Sequence, residues 1–193
     1  MRDLSQFGEY TFLKGYFEKH SPKYKIVVDV GANSLELSNS INFILDKKWK
    51  GLLIEPCKSN YLALRDNLQA AQDVVILNVA ISDFIGEGTL FIHNIEGHHS
   101  LVRETDNSEE CNIYTLPSVL AENQIPENFD LLTVDAEGMD YRILKYMFEE
   151  SKYRPRIIVH EKEHGKVFPE LFIKNGYTLI YETRGNCIYE EVL

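Results

Sequence analysis

The chain is short of basic charge. Lysine and arginine number 20 against 30 aspartates and glutamates in 193 residues, a formal net charge of -10. That balance argues against a nucleic-acid partner, because neutralising phosphates takes a basic face, although a local basic pocket would escape such a count. Cysteine is scarce too. Cys57, Cys111 and Cys187 are an odd number with no C-x-x-C pair, which speaks against a disulfide framework and a zinc knuckle. Long apolar runs are missing: none approaches about 18 residues, and Met1 to Lys14 lacks the apolar core of a signal peptide. Together these absences set the expectation of a soluble, cytoplasmic protein that engages neither membrane nor nucleic acid. Internal repeats and low-complexity segments are also absent. One domain over residues 1–193 is expected, with a helical extension (1–22) before a core (25–193).

What is present begins with a short run of β-branched residues around Asp29: Ile26, Val27, Val28 and Val30. Without polar alternation, such a run reads as a strand covered on both faces of a parallel sheet. Gly31 ends it and allows a sharp turn, and a helix from roughly Ser34 to Lys47 should point its N-terminal amides at the opening. Leu52 to Glu55, Val74 to Val79, Phe129 to Asp135 and Arg156 to His160 read as further strands. Helices fall at Lys58 to Gln69, Thr115 to Asn123, Met139 to Phe148 and Val167 to Lys174. The alternation predicts an α/β, Rossmann-like, doubly wound sheet with helices on both faces. Its C-terminal end, Tyr177 to Glu182 and Cys187 to Val192 about Arg184-Gly-Asn186, predicts an antiparallel hairpin. Ile81 to Ile92 reads as a turn leading into a short strand. Glu96 to Asn112 is polar and is expected to be a loop near the site. The aromatic stripe from Leu4 to His20 should pack on the sheet, with an aromatic cap over a substrate as the alternative; it also permits a homodimer.

Ligands of open α/β sheets bind outside the carboxyl ends of the strands. That places Asp29 with Gly31, Glu55, Ser82 with Asp83, Asp135 with Glu137, and His160 with Glu161 along one rim. Glu55 lies 24 positions past Gly31, close to the roughly 20-residue offset at which an acid accepts hydrogen bonds from ribose hydroxyls. Yet a dinucleotide turn needs G-x-G-x-x-G, and the frame here is Gly31-Ala-Asn33-Ser-Leu-Glu36. Two of the three glycines are missing, which disfavours NAD. S-adenosylmethionine fits better, since its cationic ammonium suits an acid such as Asp29.

Four segments in order, Asp29-Val-Gly-Ala-Asn33, Gly51-Leu-Leu-Ile-Glu-Pro56, Ala80-Ile-Ser-Asp83 and Val134-Asp-Ala-Glu-Gly138 followed by Leu144, resemble the FkbM family of S-adenosylmethionine-dependent methyltransferases. The resemblance implies a Rossmann-like methyltransferase fold and O-methylation of a sugar or other small-molecule hydroxyl. It implies that Asp29, Gly31 and Asn33 line the methionine end of the cofactor, that Glu55 holds the ribose and that Ser82 and Asp83 sit at the adenine. Asp135 and Glu137 would face the methyl group and the substrate. The chain departs from the family pattern at Leu35, at Thr133 and at Leu116-Pro117, where a glycine, a lysine and a Leu-Asp pair are usual.

A hydroxyl acceptor needs a base or a metal to take its proton. His160 is the expected base, an imidazole at a strand end with a pKa near neutrality, and Asp135, Glu137 and Glu161 are the other candidates, with His98 or His99 of the loop further off. A divalent cation held by Asp135, Glu137 and His160 is chemically allowed, but no tight ligand spacing asks for one, and none is assigned. Two other classes stay open: an NAD-dependent oxidoreductase and a binding module that kept the fold without turnover.

Overall fold

The computed structural model describes residues 3–35, 38–93, 98–162 and 167–192. Glu36 and Glu96, which belong to segments interpreted above, lie outside them. In chain order the first half runs α1 (Glu9–Lys19), β1 (Ile26–Val30), α2 (Ile41–Leu45), β2 (Lys50–Ile54), α3 (Lys58–Asn67), β3 (Val74–Leu77), β4 (Ala80–Ser82) and β5 (Gly86–Phe91). The second half runs β6 (Ser108–Thr115), α4 (Leu116–Glu122), β7 (Leu131–Val134), α5 (Asp140–Glu150), β8 (Ile157–Glu161), α6 (Pro169–Lys174), β9 (Tyr177–Glu182) and β10 (Asn186–Glu191). Seven strands form the main sheet in the order β3-β2-β1-β7-β8-β10-β9, and β4-β6-β5 form a second, smaller sheet. The pairs from β3 to β8 are parallel, while β10 runs antiparallel to both β8 and β9. Chain direction away from the centre therefore reverses between β1 and β7, the place where such sheets open a crevice.

Successive side chains of a strand point to opposite faces, and the core divides accordingly. Val28, Val30, Leu132, Val134 and Ile158 pack with Leu116 and Leu120 of α4, with Ile143, Leu144, Met147 and Phe148 of α5, and with Phe172 of α6. Val27, Leu131, Ile157, Val159 and Ile188 pack on the other face with α1, α2 and α3. Tyr10, Leu13, Tyr16 and Phe17 of α1 are buried there, and burial of a large apolar side chain contributes about 1.5–3 kcal/mol. The N-terminal aromatic stripe thus covers the sheet, as expected. Pro117 lies in the first turn of α4, where the missing amide costs nothing, and the Thr115 hydroxyl caps the helix by accepting from Ser118 N.

Two sequence expectations need correction. The helix expected from Ser34 to Lys47 is only Ile41–Leu45. Ser38 and Ser40 instead turn their hydroxyls onto the Asp29 carboxylate at 2.7 and 2.6 Å, and serines that bond elsewhere compete with a helical backbone. The polar segment expected as a loop from Glu96 to Asn112 contains most of β6, which pairs with β5 on one side and β4 on the other. Its exposure alternates, so its polar residues are those of a strand with one wet face.

Candidate active site

Gly31 has a φ of +81° at the end of β1, and a Cβ there would overlap the carbonyl oxygen of Asp135 at the end of β7. Glycine is required because two strand ends meet at that point. Beside them opens a cavity lined by Gly31, Asn33, Glu55, Asn60, His99 and Asp135 among others.

Glu55 projects from the end of β2 and is 3% exposed. Its Oε2 accepts Asn33 N at 2.7 Å and its Oε1 accepts Cys57 N at 2.8 Å. Two amides fix the carboxylate in place, and each oxygen keeps a second lone pair. Burial still dominates its acidity, raising the pKa to about 7 against the pull of those amides and of His99. A rigid buried carboxylate in the wall of this cavity has the acceptor chemistry that a ribose diol requires. Asn60, near the start of α3, adds an amide that donates to Asn33 Oδ1 at 3.1 Å. Asn33 itself has a φ of +51° and Glu137 one of +47°. Left-handed backbone at two non-glycine residues of one cavity is the kind of stored strain found at functional sites.

Asp135 and Glu137 line the same cavity. The Asp135 carboxyl is pushed well above the usual carboxylate range, by burial first and then by the charges of Glu161, Asp140 and Asp29. Carboxylate oxygens of Asp135, Glu137 and Glu161 lie within 4.8 Å of one another. Asp140, absent from the sequence reading, supports this cluster from the first turn of α5: its carboxylate accepts Ala136 N at 2.8 Å and Glu161 N at 3.2 Å. A polar strap, residues 98–103, borders the cavity, with His99 and Leu101 in its wall. Ser100, 1% exposed, donates to the Glu137 carbonyl at 2.7 Å, Arg103 pairs with Glu137 Oε2, and His98 Nδ1 lies 3.4 Å from Glu137 Oε1. His99 Nδ1 accepts His93 N at 3.2 Å. Strap and cavity wall meet only in three dimensions. The density of His, Ser and Arg in residues 98–103 was the one signal of it in the sequence.

The other residues singled out from the sequence lie outside the cavity wall. Asp29 is buried behind it, its two oxygens taken by Ser38, Ser40 and Thr133. Thr133, which departs from the family pattern, donates its hydroxyl to this aspartate from the neighbouring strand position. Leu35 packs against the core rather than the cavity. Ser82 donates to Asp83 Oδ1 at 3.0 Å, and Asp83 Oδ2 accepts from Arg142. Ala80 and Ile81 of the same segment do line the cavity. His160 has no exposed surface: it stacks among Phe168, Phe172 and Tyr189, with centroids 5.1 to 5.8 Å away. Its Nδ1 contacts the Glu161 carbonyl at 2.8 Å, and burial lowers its pKa to about 4. A ring packed in this way is turned from the reaction space that a base must reach.

The fold has many relatives at low identity, which establish the architecture alone. The yhhF protein of Escherichia coli, described as a methyltransferase, superposes with a TM-score of 0.56 at 12% identity, over 97% of this chain and 87% of its own. HI0767 of Haemophilus influenzae, described as a methylase, gives 0.54 at 15% identity, over 95% and 96%. PH1948 of Pyrococcus horikoshii, described as an RNA methyltransferase, gives 0.51 at 12% identity, over 97% and 88%. No curated protein matches the sequence at a significant level. The model of the methyltransferase FkbM domain matches residues 29–178, a span that holds all four sequence segments and both ends of the cavity. The chain therefore belongs to the FkbM methyltransferase family, an S-adenosylmethionine-dependent enzyme in a Rossmann-like fold.

Proposed function

We propose that the enzyme O-methylates a hydroxyl group of a small molecule, a sugar being the leading class, in the cytoplasm. The observation that carries this is the arrangement of one cavity with a fixed ribose-type acid, Glu55, among its walls and the Asp135–Glu137 carboxyls among the others. S-adenosylmethionine supplies an activated methyl on a sulfonium when bound. The residues do the rest: Glu55 accepts from the ribose hydroxyls, with Asn33 and Gly31 shaping the turn beside them. Ala80 and Ile81 offer an apolar wall suited to an adenine ring, with Ser82 and Asp83 bracing that segment from behind. Asp29 acts on the methionine end indirectly, through the Ser38–Ser40 segment that its carboxylate anchors.

A hydroxyl acceptor is supported by the acids of the same cavity wall, Asp135 and Glu137, since a hydroxyl must lose a proton as it attacks and an acid beside it can take that proton. The net charge of -10 favours a small neutral acceptor over RNA. Strap residues Ser100 and Arg103 bound the acceptor space by holding Glu137. Incubation of the purified protein with a labelled methyl donor and panels of sugars, phenols, amines and RNA tests this. Label in an alkali-stable sugar or phenol ether is expected; label confined to amines or RNA would overturn it.

A further inference from the structure

We propose that Ser100 is a positioning residue of the donor site: its hydroxyl pins residues 98–103 to the loop after β7 and so holds His99 and Leu101 against bound S-adenosylmethionine. The proposal rests on the donor's place in this cavity and not on the nature of the acceptor. Part of the cavity wall comes from strand ends of the parallel sheet, Gly31, Glu55 and Asp135 among them, where such folds bind their ligands. Leu90, His99 and Leu101 come from elsewhere, from β5 of the second sheet and from the strap bridged to it.

Ser100 stands where the two parts meet. Its amide donates to the Phe91 carbonyl at 3.1 Å, and its carbonyl accepts the Phe91 amide at 2.9 Å. Its hydroxyl donates to the Glu137 carbonyl at 2.7 Å and accepts the amides of Val102 and Arg103 at 3.2 and 3.3 Å. One proton and two lone pairs are all that a serine hydroxyl has, and here each is used by a residue with almost no exposed surface. The two accepted amides bend the strap directly after Leu101. The donated bond fastens it to Glu137, whose backbone is left-handed. An alanine would remove all three bonds at once, leaving the backbone groups they satisfied to find other partners.

The two wall residues that flank Ser100 differ in chemistry. Leu101 adds to the apolar part of the wall with Val79, Ala80, Ile81 and Leu90, the lining that a flat purine ring needs. His99 lies near enough to Glu55 for its charge to act on that carboxylate, which puts the imidazole at the ribose end of the cavity. Both residues therefore meet the adenosine half of the donor. Glu137, to which the Ser100 hydroxyl is bonded, belongs to the same wall, so one hydroxyl ties the adenosine contacts to the acid that faces the acceptor.

Calorimetry of the full chain with S-adenosylhomocysteine, without acceptor, tests this. His99→Ala and Leu101→Ala should each weaken binding by roughly fivefold or more, and Ser100→Ala by roughly tenfold. Methylthioadenosine, which lacks the amino acid, should show the same losses. In a chain that already carries His99→Ala and Leu101→Ala, adding Ser100→Ala should cost less than about twofold, because the side chains it positions are gone; a merely structural serine would cost as much as before. The two flanking variants leave the Ser100 hydroxyl in place, so they test the contacts even if Ser100→Ala does not fold. His99→Ala and Leu101→Ala within about twofold of wild type would overturn the proposal, whatever Glu55→Ala does to the ribose site. An undiminished cost of Ser100→Ala in the doubly substituted chain would overturn it as well.

Discussion

Oε2 of Glu55 accepts the backbone amide of Asn33 at 2.7 Å, joining the loop after β1 to the end of β2 across 22 residues of sequence. The bond keeps a buried carboxylate at the cavity wall and holds Asn33 in its left-handed conformation. One side chain thereby shapes the turn and presents an acceptor to the cofactor.

Replacing Glu55 by alanine should weaken cofactor binding by about 1.5–3 kcal/mol, the worth of hydrogen bonds to a charged group. Calorimetry with S-adenosylhomocysteine measures this. Unchanged affinity would remove Glu55 from the ribose site.

The same residue predicts a pH dependence. Burial raises its pKa to about 7 from the ordinary 4.5 of a glutamate, and ribose hydroxyls donate to the ionised form. Affinity should therefore increase by roughly tenfold from pH 6 to pH 8, with a proton released on binding near neutrality. For the free protein the sign is opposite. Glu55 contributes stability that is fully present below about 4.5 and lost as pH rises through about 7. Binding enthalpies in buffers of different ionisation heat would show the proton release, and a flat affinity profile in Glu55→Gln would confirm its source.

His160 should matter for stability rather than for turnover. His160→Ala would leave a void beside Phe168, Phe172 and Tyr189 and cost about 2–4 kcal/mol. His160→Phe should keep most of the activity. Because the folded-state pKa is depressed to about 4 from 6.5, the histidine contributes stability that is present above pH 6.5 and lost as pH falls toward 4. Melting temperatures of wild type and His160→Phe should therefore diverge on acidification, in favour of the variant. Abolished turnover in a folded His160→Phe would restore the histidine as the base.

Thr133 donates to Asp29 Oδ1 from the adjacent strand. Thr133→Val keeps the shape and removes the donor, so urea unfolding should report a loss of about 1–3 kcal/mol. Thr133→Ser should recover most of it. A valine variant as stable as wild type would show that this bond has no net worth.

The parallel core was legible because its strands are short apolar runs, Ile26 to Val30 and Phe129 to Asp135 among them, separated by helical spacing. Gly31 and Glu55 were legible for a different reason: their spacing reflects a βαβ unit whose geometry is fixed by the fold. What sequence could not convey was direction. His160 occupies a strand end like Asp135, yet alternation sends its ring into the aromatic cluster, and only the packing of α6 and β10 determines that. Ser38 and Ser40 looked like helix residues because their bonds to Asp29 are non-local. β6 was hidden by its wet face, and Asp140 by its resemblance to an ordinary acid in the first turn of a helix.

The most direct test of the account is a crystal structure of the protein with S-adenosylhomocysteine. The ribose hydroxyls are predicted on the Glu55 carboxylate, with the sulfur directed toward Asp135 and Glu137. Density for the ligand outside this cavity, or a ribose held by another residue with Glu55 untouched, would contradict it.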